Sequence, residues 1–519
     1  MLASLAGVAA AAPSETELIS ISTITGRPAL GRVTEALRPI SADGRYVAFE
    51  GWQDDIVPGD SNDVMDVFVR DRQNGTTERI TLSFAGGNSN RGGQRPSISA
   101  DGRYVSFISS ATNLVPGDTN AGEDVFVRDR QTGVTERVSV SSSGAQGLGD
   151  FVRIGEQMIS GNGRFVVFVS NAVNLVPDDT NGDYDLFVHD LELGTTERIN
   201  VGPAGEQSDD WTVGYYATIS DDGRFVAFRS KATNLVPGDP NPVGYDIYLR
   251  DLVTDRTVRL HGGFNWGPVI SGNGRYVVFH IGQVYLLDRI AGTTEVVSVG
   301  AGNVEANAIC YDLSISPDGR YVSFISSATN LVPGLDPTAS RAHAYVRDRL
   351  LGRTELVTVN SRGVPLRGNS AYPWVSADGQ VVVFQTKATN IVPDDTNAED
   401  DVYVRQRGSA AAYPFTVKPK SLDFGATALG TRATLAFWVR NKGTRALPIT
   451  SISLRGTDRA MFRLDNRCGA TLAAGQGCGI RVTFAPTALG VKFARVRVVA
   501  GDGQIRNRPV SGTGVAPDG

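Results

Sequence analysis

The residues best suited to chemistry in this chain are carboxylates and amides at short, repeated spacing. Four stretches read Asp-x-Asn-x-x-x-Asp: Asp60, Asn62 and Asp66; Asp118, Asn120 and Asp124; Asp179, Asn181 and Asp185; Asp395, Asn397 and Asp401. A fifth set, Asp239, Asn241 and Asp246, is one residue longer, and Asp183 adds an oxygen within the third set. Alternate residues of a tight loop can turn short oxygen-bearing side chains toward one centre. Calcium takes six to eight oxygens at about 2.3–2.6 Å, and backbone carbonyls and water can complete such a shell. The same residues also suit ion-free turns, because Asp and Asn side chains bond their own backbone. Both readings stand on the sequence. The metal reading expects Ca²⁺ in the first, second, third and seventh repeat units, weaker binding in the fourth, and none in the fifth and sixth.

Other reactive groups are sparse. The four histidines, His189, His261, His280 and His343, form no two-histidine ligand motif. His189 takes the place of an arginine in its repeat and reads as a surface residue. No Gly-x-Ser-x-Gly nucleophile elbow occurs. The expectation is therefore a protein that is not an enzyme. With a net charge of −5, a pI near 5.6 and no basic stripe, nucleic acid is excluded as the main partner. The opening MLASLAGVAAAAPSETE reads as the end of a secretory signal peptide at residues 1–13, without its positively charged start. No other stretch approaches the roughly 18 apolar residues of a membrane helix. A secreted, periplasmic or cell-surface location follows, and an oxidising compartment would let Cys468 and Cys478 pair. Cys310, within AICYDLSIS, reads as a buried thiol.

The acidic loops belong to a unit that occurs seven times. Its signature is ISADGRYVAF with Asp43, then ISADGRYVSF (Asp101), ISGNGRFVVF (Asn162), ISDDGRFVAF (Asp222), ISGNGRYVVF (Asn273), ISPDGRYVSF (Asp318) and VSADGQVVVF (Asp378). Each copy predicts a strand ending in Ser, an Asp-Gly or Asn-Gly hairpin, a second strand, and the ATNLVPGDTN-type loop. A third strand (DVFVRDR), a glycine turn and a fourth strand (TERVSVS) complete it. Four antiparallel strands per repeat describe a propeller blade. The fifth unit lacks the loop altogether. The sixth keeps NLVPG but loses the acids, with His343 at the third-strand Asp position. A blade can thus form without the acidic loop, which makes the loop an addition suited to binding. The seventh unit ends after its third strand, DVYVRQR, whereas the chain begins with an orphan, TELISIST, at Thr16–Thr23. That orphan is expected to supply the missing fourth strand and seal the ring.

These repeats resemble the TolB-like β-propeller family over residues 14–407, which implies a platform for binding. Ser-x-Asp-Gly-Arg is not the sialidase Asp-box, which has a residue between Asp and Gly. The clustered histidines of propeller lyases are missing. The arginines after Asp-Gly read as blade-edge salt links. Trp52 and Trp211 are candidates for an exposed ligand platform, whereas Trp266 and Trp374 fall on first strands and read as core.

After a Gly-Ser-Ala linker at 408–414, residues 415–515 alternate as short strands and read as a β-sandwich, with a tail at 516–519. LDFGATALGT, CGATLAAGQGCGIRVTFAPTALG and the closing VSGTG resemble choice-of-anchor D and Hydin-like immunoglobulin domains. The resemblance implies an adhesive or spacer module without an active site, and Cys468 and Cys478 lie at that family's usual pair of positions. The fold expected is all-β: a seven-bladed β-propeller closed by an N-terminal strand, followed by an immunoglobulin-like β-sandwich. The function expected is an exported, non-catalytic binding or scaffold protein that engages a protein or glycan, with calcium as a stabiliser. Two alternatives accompany it: a structural adhesion or spacer subunit, and a carbohydrate-active propeller, which requires two carboxylates about 5–10 Å apart on the ring axis.

Overall fold

The computed structural model describes residues 16–33, 38–120, 122–148, 158–210, 217–239, 244–263, 266–335, 341–360, 363–392, 397, 399–407, 415–442, 446–500 and 504–517. Two compact units occur, one within Ser14–Arg407 and one within Gly408–Gly519.

Within the first unit, seven four-stranded antiparallel sheets form among the described residues. The second is representative: Gln94–Ile98, Tyr104–Ser109, Asp124–Asp129 and Val134–Arg137, in that order. Its second strand is buried almost throughout, because both faces of the sheet pack on neighbouring sheets. The paired rings of Phe107 and Phe126, 5.7 Å apart, recur as Phe49–Phe68, Phe168–Phe187 and Phe324–Tyr345. The serine and Asp of each hairpin tie its turn: Ser41 Oγ donates to Asp43 Oδ1 at 2.7 Å, and Asp43 Oδ1 accepts from Arg45 N–H at 3.0 Å. Asn162 and Asn273 replace Asp freely because the same Oδ1 does the work in all three.

The seventh sheet contains Ser370–Val375, Val381–Thr386, Asp401–Gln406 and, from the other end of the chain, Thr16–Leu18. Its register places Thr16 opposite Arg405 and Leu18 opposite Tyr403. Beyond the strand, Ser20 Oγ donates to Asp401 Oδ1 at 2.9 Å and accepts from Val402 N–H at 3.1 Å. Ser139 makes the same pair of bonds with Asp124 and Val125 in the second blade. The opening segment therefore does the job of a fourth strand in its strand pairing and its serine bonds.

Neighbouring blades are joined by the signature motif itself. Gly102 sits at φ +76°, and a Cβ there would lie 2.3 Å from the Tyr46 ring of the preceding blade. Gly163 stands against Tyr104 in the same way. Only glycine satisfies both the turn and the contact. At the axis, backbone bonds run from hairpin to hairpin: Ala42 N–H to Ala100 O, Ala100 to Gly161, Asn162 to Asp221, Asp221 to Gly272, Asn273 to Pro317, and Ala377 back to Ala42, all 2.8–2.9 Å. Pro317 has no N–H to pass on to the seventh blade.

The second unit is a two-sheet sandwich. One sheet orders Phe415–Lys418, Ala433–Asn441, Gly477–Phe484 and Phe462–Asn466. The other contains Leu422–Ala428, Gln504–Val515, Gly490–Ala500, Leu447–Arg455 and Thr471–Leu472, with the first two parallel. Phe424, Phe462 and Phe484 cluster in the core between them. Cys468 and Cys478 form a disulfide.

Candidate functional site

The acidic loops are the first place to look for chemistry, and the structure puts an arginine in four of them. Fourth-strand Arg137 lies with Nη1 at 3.3 Å from Asp118 and 3.5 Å from Asp124. Arg198 bridges Asp179 and Asp185 at 3.5 and 3.3 Å, and Arg259 bridges Asp239 and Asp246 at 3.5 and 2.6 Å. Arg79 donates to Asp60 and stands 3.5 Å from Asp66. Each carboxylate is almost fully buried, so an uncompensated pair of negative charges would be costly. Burial, aided by the charge of Asp66 and opposed by Arg79, pushes the Asp60 carboxyl up to about 6. Burial also raises Asp66, Asp118, Asp124, Asp179 and Asp185.

The asparagines donate amide N–H groups within and beside the loops, while Asn62 Oδ1 is buried without a hydrogen-bond partner. Asn62 Nδ2 donates to Asp66 at 3.0 Å, Asn181 Nδ2 to Asp185 at 3.5 Å, and Asn120 Nδ2 to the Gly147 carbonyl at 3.3 Å. Asp183 is exposed, and its N–H donates to Asn181 Oδ1 in a local turn. With a guanidinium between the acids and amide N–H groups pointing inward, these residues as placed do not fit a calcium cage. Among the described residues no group of three or more His, Cys, Asp or Glu side chains converges as metal ligands. Asn241 and Asp395 lie outside the described residues. In the seventh blade Asp401 bonds Ser20, and Leu18 stands where other acidic blades have their arginine.

The arginine was not singled out from sequence, although a signal was present. TER, or VR in the fourth blade, accompanies the acids in blades one to four. TEV and TEL accompany their loss in blades five and six. In the sixth blade His343 takes the vacated place and bonds Thr358 at 3.0 Å.

On the hairpin side of the ring, the arginine that follows Asp-Gly or Asn-Gly in the first six blades forms a two-point pair with the last Asp of the third strand. Arg45–Asp71, Arg103–Asp129, Arg164–Asp190, Arg224–Asp251, Arg275–Asp288 and Arg320–Asp348 lie at 2.5–2.7 Å. These bonds hold Asp71 and Asp288 down at about 2, and Asp129 and Asp251 lower still. The seventh blade has Gln380 and Gln406 at both positions.

Among the described residues the ring axis is closely packed. Met158, Ile270, Ile315 and Trp374 line it, and the cavity left among them is about 30 Å³, room for ordered water only. Its polar closure is a half-buried ion pair, Arg38 Nη2 to Asp221 Oδ1 at 2.7 Å. Asp221 fits across the axis because Gly161 and Gly272 face it: a Cβ at either would lie within 2.3 Å of its carboxylate. Neither Arg38 nor Asp221 was foreseen.

Trp374 is core, and Trp52 is exposed (38%), with the Arg32 guanidinium 5.3 Å from its ring centre. Trp211 lies outside the described residues. His189 corrects the expectation of a surface residue: it is buried, its Nδ1 meets Thr196 Oγ1 at 2.8 Å, and burial lowers its pKa. The position faces inward in the other blades too: Arg250, Arg347 and Arg405 are buried there, and Arg70, Arg128, Arg250 and Arg347 bond the equivalent fourth-strand threonine as His189 does. His280 is lowered to about 4 by burial and by Arg229. Cys310 is fully buried, which raises its thiol.

Residues 415–507 match the family model of the HYDIN/CFA65/VesB-like Ig-like domain. No curated protein matches the chain. Among solved structures, TolB from Acinetobacter baumannii aligns at 14% identity over 71% of this chain and 82% of its own, with a TM-score of 0.33. The β-propeller domain of the Trilobed protease from Pyrococcus furiosus aligns at 13% identity over 72% and 95%, with a TM-score of 0.44. An ASH/PapD-like domain of human CEP192 aligns at 17% identity over 21% of this chain and 89% of its own, with a TM-score of 0.16.

Proposed function

We propose that this chain is an exported, non-catalytic scaffold whose propeller presents its faces to a protein or glycan partner. One observation carries the reading: the groups that could do chemistry are engaged in holding the ring together. The loop acids neutralise arginines, the hairpin acids do likewise, and the axis is closed by Arg38 and Asp221. A carbohydrate-active propeller would need two carboxylates at the axis, and among the described residues Asp221 stands there paired to a cation. The sandwich domain suits spacing or adhesion. Among the described residues no helix is long and apolar enough to cross a membrane.

In this reading arginine takes the place of calcium in blades one to four, and the seventh loop is the remaining candidate for calcium. The test combines a polysaccharide depolymerisation screen with an array of glycans and proteins. Saturable binding without release of reducing ends is the expected result. Release of reducing ends that the Asp221→Asn variant abolishes would overturn the proposal in favour of the enzyme.

A further inference from the structure

At three of the seven joints between blades one arginine is held in a three-part seat. Arg130, just after the third strand of the second blade, donates to Glu78 of the preceding blade at 2.6 Å. It also donates to the Gly102 carbonyl of its own hairpin and lies 4.3 Å over the Tyr46 ring. Arg349 repeats the pattern with Glu295, Gly319 and Tyr276, and Arg407 with Glu355, Gly379 and Tyr321. A carboxylate, a carbonyl and an aromatic face thus form a standard guanidinium seat in this ring.

Between the third and fourth blades the seat is present and its arginine is not. Leu252 occupies the arginine position, its N–H bonded to Arg224 O at 2.9 Å just as Arg130 N–H bonds Arg103 O at 3.0 Å. Glu197, Gly223 and Phe165 stand where Glu78, Gly102 and Tyr46 stand in the sister joint, and all three line a cavity of about 190 Å³. Exposed Leu193 and Val253 flank it, suited to the methylene stem of a long side chain. Leu191 holds the same position one joint earlier, packed on an apolar cluster. We propose that the cavity at the joint of blades three and four receives an arginine side chain presented by a partner protein. Its guanidinium would sit on Phe165 and pair with Glu197, as the ring's own arginines do elsewhere. Lysine fits less well, because a point charge neither stacks flat nor donates to the carboxylate and the carbonyl in one plane.

The probe is the blocked tripeptide acetyl-Gly-Arg-Gly-amide, titrated into the full chain and read by saturation-transfer NMR. Its lysine and citrulline counterparts serve as comparisons. A saturable response is expected for arginine, at least five-fold weaker for lysine and absent for citrulline. Leu252→Arg fills the seat from within, so it should raise the melting temperature and abolish the response. Glu197→Gln, on an exposed carboxylate that folding does not need, should weaken binding at least five-fold and decides the matter even if Leu252→Arg misfolds. No saturable response, or one that Glu197→Gln leaves unchanged, overturns the assignment and leaves the scaffold reading standing.

Discussion

Removing the guanidinium from one acidic loop should reveal what it holds together. Arg137→Gln leaves Asp118 and Asp124 facing each other with side chains only 3% and 2% exposed. At about 3.4 Å each ion pair is worth roughly 5 kcal/mol in Coulomb terms at an effective dielectric of 20, before desolvation is subtracted. Breaking a buried pair from one side usually costs about 3–5 kcal/mol. Gln restores some hydrogen bonding, so a loss of about 3 kcal/mol at pH 7.5 is expected for the propeller transition in urea. The sign of the pH dependence follows from burial. Both carboxyls are already raised in the folded protein, and Arg137 opposes the rise. Without it they rise further, and a raised acid gives stability that is full at low pH and lost as pH climbs through the folded value. The deficit of the variant should therefore shrink between pH 7.5 and pH 5. Millimolar calcium should restore part of it, raising the variant's stability by more than the parent's. Arg353→Gln, which removes an exposed pair with Glu355, should cost under about 0.5 kcal/mol. A loss below about 1 kcal/mol at Arg137, or one independent of pH, would refute the idea that arginine is the cation these loops require.

The hairpin pairs should behave in the opposite sense. Asp129→Asn should lower the urea midpoint at pH 7, and the gap from the parent should close as pH falls from 4 toward 2, because a depressed acid gives stability only while ionised. Gly163→Ala should cost about 2 kcal/mol or more by chemical denaturation, since φ is +75° and the new Cβ would lie 2.5 Å from the Tyr104 ring. Ser20→Ala should cost about 1–3 kcal/mol by the same assay, because it removes the hydroxyl that serves both Asp401 and Val402. Reducing Cys468–Cys478 should destabilise the sandwich domain by about 2–3 kcal/mol in calorimetry and leave the propeller transition in place.

The fold was legible because its information is local and repeated. Ser-x-Asp-Gly-Arg announces a hairpin each time through side-chain bonds within five residues, and TELISIS shares its pattern with complete fourth strands. The loops were harder. Asp60, Asn62 and Asp66 read equally as ion ligands or turn formers when taken within their own segment. The deciding residue, Arg79, arrives from the next strand, 13 residues after Asp66 in the chain. A scan for ligand spacing along one segment cannot see it, whereas comparing acids and fourth-strand arginines across the seven copies would have. Arg38 and Asp221 are harder still. They are 183 positions apart, Asp221 falls at the variable position of its Ser-x-Asp-Gly-Arg signature, and the two meet only because blades one and four face each other across the axis. His189 misled because the arginine it replaces reads as a surface residue, whereas Arg250, Arg347 and Arg405 at the same register are themselves buried.

The seam where the two ends of the propeller sequence meet differs from its sister joints. There Gly44 rests on Val381 rather than on an aromatic ring, and Gln380 and Gln406 replace the charged pair of the other hairpins. The closing strand is three residues long. Under tension the molecule resembles a bracelet with one clasp: force applied through the chain ends peels three rungs in sequence instead of shearing a whole sheet. Any load this protein carries in service is best borne across its faces, and a pull through its opening segment would undo the circle before disturbing any other link.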